Sequence, residues 1–350
     1  MLNTFRTSHP FWQTAFRPFF LLGSIFSILL MGAWGLYLSG LLTFSPYAGH
    51  LIWHSHEMLF GFTLAIAVGF LLTAVQNWTG ELSAKGKPLK VLLTLWLSSR
   101  LLWLWAGAPP LLLALLDISF PLYAAHWLAR PLLQVRPKLK QKHNWPFVGV
   151  LVLLACMQGI YHGLISFSPD SITRLNQAVV LVMANLVLWI GGRVLPFFIE
   201  SRLQIKRRSL PTFLTTFAML NSWLLVPLTL FNLDTLMVIC AALAAVAHGI
   251  RLLLFWSNDV IHEALLWSLF LASGWVIAGL FCIAIQSNEW VHIITIGGLG
   301  GMILSIMSRV SLGHTGEAIR TLKFMPFAFL CLSVAAIIRS LAIELSGFPI

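Results

Sequence analysis

Charge is scarce in this 350-residue chain. Only 9% of its residues are Asp, Glu, Lys or Arg, against roughly 25% in an average soluble domain. With 59% hydrophobic residues and a mean hydropathy of +0.88, that scarcity excludes a soluble globular protein and implies a polytopic membrane protein. Cysteine is nearly absent as well. Cys156, Cys240, Cys282 and Cys331 stand far apart in apolar runs, and no CxxC or CxxCH occurs. A disulfide framework and covalently attached haem are therefore excluded. Acidic residues number 11, which leaves a formal charge of +11. Such an excess can serve nucleic acid, but here the basic residues sit in short loops between apolar runs, which is a topology pattern. No signal-peptide cleavage pattern precedes the first apolar run, which is long enough to remain as a helix. Internal repeats, low-complexity tracts and a soluble domain are also lacking, so one transmembrane helical domain over 1–350 is expected.

What the chain does contain is long apolar runs. A helix needs about 20 residues to cross the hydrocarbon. Eleven such runs are expected, at about 18–42, 51–76, 89–106, 110–129, 146–166, 173–192, 211–231, 235–256, 262–286, 290–309 and 325–345, with boundaries good to about four residues. The fold class is an all-α polytopic transmembrane bundle of about 11–12 spans. Lys85, Lys87 and Lys90 follow the second span. Arg130, Arg136, Lys138, Lys140 and Lys142 follow the fourth. Arg202, Lys206, Arg207 and Arg208 follow the sixth, and Arg320 and Lys323 the tenth. The alternate loops, around Pro46, Pro109, Asp170, Asp234 and Glu289, are almost free of positive charge. By the positive-inside rule the N-terminus is cytoplasmic, and eleven spans leave Pro349-Ile350 outside. Many of the fifteen tryptophans, Trp12, Trp53, Trp78, Trp145 and Trp290 among them, fall at span ends, as an interfacial belt requires.

Ionisable residues inside a membrane are costly, so a function is their default reading. Trp53-His54-Ser55-His56-Glu57-Met58 opens the second span. With the topology above, His54, His56, His162 and His292 share an outer depth with Glu57 and Arg100. Imidazole suits copper, iron and zinc, and these four histidines are the metal-ligand candidates. On a regular helix His54 and His56 point about 200° apart, so both serve one small site only if the helix is distorted. His50 and His54 share a face instead, with Glu57 one turn on. The plainer alternative is that these histidines merely bridge helices or lie wet at the headgroups.

A second group lies toward the cytoplasmic side. His126 is near the end of the fourth span, His248 precedes Arg251 by one turn, and Arg309 and His314 close the tenth span. His9, His143 and His262 lie in or beside cytoplasmic segments. His248 and His314, with Arg193 and Arg309, form a candidate cofactor layer, most simply haem: imidazole ligates haem iron, and the guanidinium fork fits a propionate. Snorkelling of the terminal arginines is the alternative. Gly297-Gly298-Leu299-Gly300-Gly301 contains a GxxxG, which permits close helix packing or room for a flat cofactor.

Taken in order, several blocks resemble the NnrS family of bacterial membrane proteins. They are His9-Pro10, Phe16-Arg17-Pro18-Phe19-Phe20-Leu21, the run from Trp53 through Phe62, and the run from Gly69 through Gly80. Gly192-Arg193-Val194-Leu195-Pro196-Phe197-Phe198, His292 and the run from Met307 through Gly316 follow. The resemblance implies a bacterial inner-membrane protein, usually of twelve spans, that contains non-covalent haem b and copper. It also implies a role in the response to nitric oxide and nitrosative stress, often beside denitrification genes. This chain departs from the pattern in stopping one span short, and in carrying Phe270 where many members carry His. The expected function is binding or turnover of nitric oxide at His-ligated metal centres. A membrane transporter or metal-handling protein, or a non-catalytic regulatory or assembly factor, is the alternative. The ligand is nitric oxide or another small uncharged molecule, with no nucleic acid; the sequence names no electron donor.

The loop charges generate a direct check. Reporter fusions after Lys140 and after Asp234 are expected to report opposite sides of the membrane; the same side for both refutes the alternation.

Overall fold

The computed structural model describes residues 9–135, 142–168, 171–206 and 209–346. The loop residues Arg136, Lys138, Lys140, Asp170, Arg207 and Arg208, and the terminal Pro349-Ile350, fall outside them. Among the described residues there is no strand. Eleven long helices among the described residues stand where the apolar runs predict them: α1 Phe16–Leu38, α2 His50–Thr79, α3 Lys87–Trp103, α4 Pro110–Gln134, α5 Trp145–Phe167, α6 Ile172–Leu203, α7 Thr212–Leu230, α8 Asp234–Phe255, α9 Ala264–Ala284, α10 Trp290–Thr315 and α11 Met325–Ser346. Ten are long and apolar enough to cross a membrane. The other, α3, has 17 residues, at the short end of what can span. Its two lysines and buried Arg100 also make it the most polar of the set.

Two helices differ from expectation in a way that matters. α6 continues past the expected end at 192, through Gly191-Gly192-Arg193 and Pro196, to Leu203. A proline inside a span is tolerated where neighbours re-satisfy the freed backbone. α10 continues past 309 to Thr315 and stops at Gly316, whose φ of +81° is a left-handed helix cap. Arg193, Arg309 and His314 are thus helical residues.

The chain divides into two compact units, Met1–Asn176 and Gln177–Ile350. In the first, α2 packs against α1 and α4, and α4 against α3 and α5. Small residues set the α1–α2 approach: a Cβ on Gly69 would lie 2.8 Å from the Phe19 Cβ. The amide of Phe16 donates to Thr73 Oγ1 across the same contact. The other side of α1 presents Ile28 and Leu29, both exposed, as a lipid-facing surface does.

In the second unit α8 packs between α7 and α9, and α10 between α9 and α11. α10 opens with a π-helical segment, Ile293–Gly300. Its glycines are filled by packing. A Cβ on Gly297 would meet Trp275 at 2.5 Å, and one on Gly298 would meet Val276 at 2.6 Å. The facing Gly279 of α9 would meet Ile294 at 2.3 Å. The glycine face is therefore a helix contact and not a cofactor slot.

That contact predicts a contrast. Gly279→Val is expected to destabilise the detergent-solubilised protein by about 1–3 kcal/mol, the usual cost of overpacking. Gly249→Ala on α8, where a Cβ meets nothing within 4 Å, is expected to be neutral or stabilising by up to about 1 kcal/mol. Thermal unfolding of the two variants distinguishes them.

Candidate metal centre

Four helices of the first unit each place a polar side chain at one point. α2 brings His56 and Glu57, α3 brings Ser99, Arg100 and Trp103, α4 brings Asp117 and α5 brings His162. All are buried: His56 is 0% exposed, Glu57 and Asp117 1%, Arg100 4% and His162 7%.

The local cause on α2 is a π-helical segment, Glu57–Thr63, that begins immediately after His56. Such segments break the 3.6-residue phase and recur at functional sites. The Thr63 hydroxyl donates to the Met58 carbonyl at 2.8 Å, five residues back. Gly61 sits within the segment because nothing larger fits. A Cβ there would lie 2.7 Å from Arg100 Nη1 and 3.3 Å from Glu57 Oε2. The Gly61 carbonyl accepts a hydrogen bond from Trp96 Nε1 at 2.8 Å, which ties α3 to the distorted turn.

Asp117 is the hub. Its Oδ1 accepts from Ser99 Oγ and from Arg100 Nη2. Its Oδ2 accepts from Trp103 Nε1 at 2.8 Å and lies 2.9 Å from His162 Nε2. A carboxylate offers about four lone-pair sites, so these partners saturate it. His56 Nε2 also approaches Oδ2, at 3.4 Å, but off hydrogen-bond geometry, and that nitrogen has no other partner. On its far edge the His56 ring contacts Glu57 Oε1 through Nδ1 at 3.0 Å. Glu57 Oε1 in turn lies 2.8 Å from Arg100 Nη1, an ion pair by distance although off the hydrogen-bond axis. One guanidinium thus faces two carboxyl groups. Trp103 lies flat on His56, with ring centroids 4.0 Å apart and planes within 24°.

His56, Asp117 and His162 can hold a metal ion: one ligand atom from each lies within 4.8 Å of the others. Two imidazoles and a carboxylate suit first-row transition metals. His56 has the arrangement that metal-bound histidines usually show, with one ring nitrogen on a carboxylate and the other turned to the centre.

The remaining candidates lie elsewhere. His54 is outside this group, stacked on Trp34 with centroids 4.3 Å apart, as its 200° offset from His56 requires. His50 stacks on Tyr37 and its Nε2 lies 2.6 Å from the Phe44 carbonyl oxygen. His292 belongs to the second unit, half-buried just before the π segment of α10. There too His248 is 2% exposed. Its Nδ1 accepts from Arg251 Nη1 at 2.7 Å, and its Nε2 lies 3.4 Å from Ser222 Oγ. Arg309 is buried with its guanidinium 3.9 Å above the Phe198 ring. Arg193 is half-buried on α6, and His314 is exposed in the last turn of α10. Sequence reasoning had no place for Asp117, the residue that joins all four helices. Its signal was present: a lone carboxylate in the middle of an apolar span.

Removing Arg100 leaves two buried carboxyl groups without their cation. Arg100→Met is expected to cost about 3–5 kcal/mol, as breaking a buried pair does. Lys85→Met, at an exposed cation, is expected to stay within about 0.5 kcal/mol. Unfolding midpoints of the purified variants measure both.

No curated protein and no solved structure matches the chain. A family model described as "NnrS protein" matches residues 10–349, nearly the whole sequence. The ordered blocks, the apolar helices that carry them and the buried His/Asp group agree with that match: this chain belongs to the NnrS family.

Proposed function

We propose that this protein binds nitric oxide, and acts in the response to it, through a copper ion held by His56, Asp117 and His162 in a bacterial inner membrane, with the N-terminus cytoplasmic. The observation that carries the reading is the unpartnered Nε2 of His56, fully buried and 3.4 Å from Asp117 Oδ2, with a ligand atom of His162 within 4.8 Å of both. A cation there gives that nitrogen a partner beside the Asp117 carboxylate.

A bound copper ion would supply an open coordination position for a small uncharged ligand. The protein's own residues do the rest. Ser99, Arg100 and Trp103 fix the Asp117 carboxylate from three directions. Glu57 fixes the tautomer of His56 by accepting a hydrogen bond from its Nδ1–H, which leaves Nε2 a lone pair. Metal binding also requires a deprotonated His162 Nε2, so the hydrogen bond now joining it to Asp117 marks the place of the cation. Trp103 and Tyr161 flank His56 and keep water from the imidazole.

Non-covalent haem b is the second cofactor implied by the family. His248 fits it poorly as it stands, because one ring nitrogen accepts from Arg251 and the other faces Ser222. Its ligands are therefore sought at two other second-unit histidines, His292 and His314, with Arg193 and Arg309 as propionate partners.

Metal analysis and an absorption spectrum of the purified protein test these assignments. One copper per chain is expected. His56→Ala, His162→Ala and Asp117→Asn should lose it, and Glu57→Gln should weaken it by about 10–100-fold, as loss of a partner behind a metal ligand does. Any Soret band should leave with acidified organic solvent. A metal-free parent protein, or copper unchanged in all four variants, refutes the site.

A further inference from the structure

We infer that the second unit carries a binding site for one anionic phospholipid, with its headgroup between the α6 and α8 ends and one acyl chain along α8 and α9. Two neighbouring cavities sharing one wall carry the argument. The first, about 300 Å³, is lined by Pro196 and Ile199 of α6 and by Lys206, Trp256, Ser257 and Asn258. The second, about 720 Å³, is lined almost wholly by apolar side chains, among them Ile261, Trp267, Phe270, Leu330 and, again, Trp256. Both volumes fall in the range of small-ligand sites.

Their chemistry divides as an amphipathic ligand divides. Lys206 follows the end of α6, and Ser257 and Asn258 follow the end of α8. Since α7 separates the two helices, both ends lie on one side of the membrane, at headgroup level. The first cavity thus offers a cation, a hydroxyl and an amide there, with no acidic residue in its lining. Of the acidic side chains that follow α8, Glu263 pairs with Arg202 at 2.8 Å, and Asp259 accepts from Ser257 Oγ at 3.4 Å. Lys206 is left to attract an anion.

The second cavity runs from the shared Trp256 along the apolar faces of α8 and α9 to Trp275. Its rim residues Leu253, Ile261 and Leu330 are exposed, so it opens sideways to lipid. Gly274 lies in its wall, and a Cβ built there meets nothing within 4 Å. Trp256 at the junction is a residue type that prefers the headgroup boundary. Basic pockets between spans on the side of the basic loops are where anionic headgroups gather.

The test uses the full chain in detergent, titrated with dioleoyl phosphatidylglycerol or the matched phosphatidylcholine and read by native mass spectrometry. One phosphatidylglycerol is expected to bind about five-fold more tightly than phosphatidylcholine, the worth of one basic residue at a membrane surface. Lys206→Gln should abolish that preference and Lys206→Arg should keep it. Gly274→Leu, whose Cβ meets nothing within 4 Å and whose side chain takes up groove space, should lower occupancy by both lipids. Equal binding of the two lipids by the parent protein overturns the inference. So does binding that both Lys206→Gln and Gly274→Leu leave unchanged.

Discussion

The first unit depends on one guanidinium. Arg100 sits between Glu57 and Asp117 in a span where water cannot screen it. An isolated charge there would be prohibitive, and so would either carboxylate alone. Together they are tolerable only if α2, α3 and α4 hold a single relative position. Ser99 and Trp103 add donors from α3 and His162 adds a contact from α5, so a fourth helix joins the same constraint. Apolar packing between spans tolerates sliding, because lipid tails are as good a neighbour as leucine. A saturated carboxylate at the centre does not. The polar cluster therefore fixes the register of helices whose apolar surfaces leave it loose, and the geometry needed for metal ligation comes with it.

The distortion of α2 begins at this cluster. His56 and Glu57 are adjacent and point about 100° apart on an ordinary helix, yet both contact the same Arg100–Asp117 pair. The π segment from Glu57 to Thr63 changes the phase at that point, and Gly61 within it leaves room for the guanidinium. The second unit has its own π segment, after His292, and there the glycines serve backbone approach between α9 and α10. The same distortion admits a charged side chain in one unit and a neighbouring helix in the other. The small residues within each segment decide which: a glycine facing Arg100, or glycines facing Trp275 and Val276.

The helices were legible in the sequence because hydropathy reports directly on the solvent that surrounds them. All eleven stand where the apolar runs lie, although α6 and α10 run on past their apolar stretches. Hydropathy cannot see that Arg193 and His314 stay helical, since both lie beyond the apolar stretch of their helix. At the site, depth was legible for His56, Glu57, Arg100 and His162, and the phase argument separated His54 from His56. Which histidines meet was not legible, because it depends on helix neighbours that periodicity leaves open. Asp117 was passed over for a physical reason: one carboxylate hardly lowers the hydropathy of a 25-residue helix. Its role as the hub becomes visible only once its four donors are assembled around it.

The closure of this cluster bears on the kind of ligand it can serve. Trp103 covers one face of His56, and Phe60 and Tyr161 stand within about 5 Å of it. Tyr161 is itself held by Ser55 and the Ile52 carbonyl, and Ser55 by Asn176, so this wall is pinned and not free to swing. An ion arriving at the proposed metal would have to shed its hydration against aromatic rings, at a cost of several kcal/mol for even a small charge. A diatomic, uncharged molecule pays no such desolvation and concentrates in apolar surroundings. A transport pathway would need polar groups in sequence along a route. Here the polar groups instead converge on one carboxylate and are walled off.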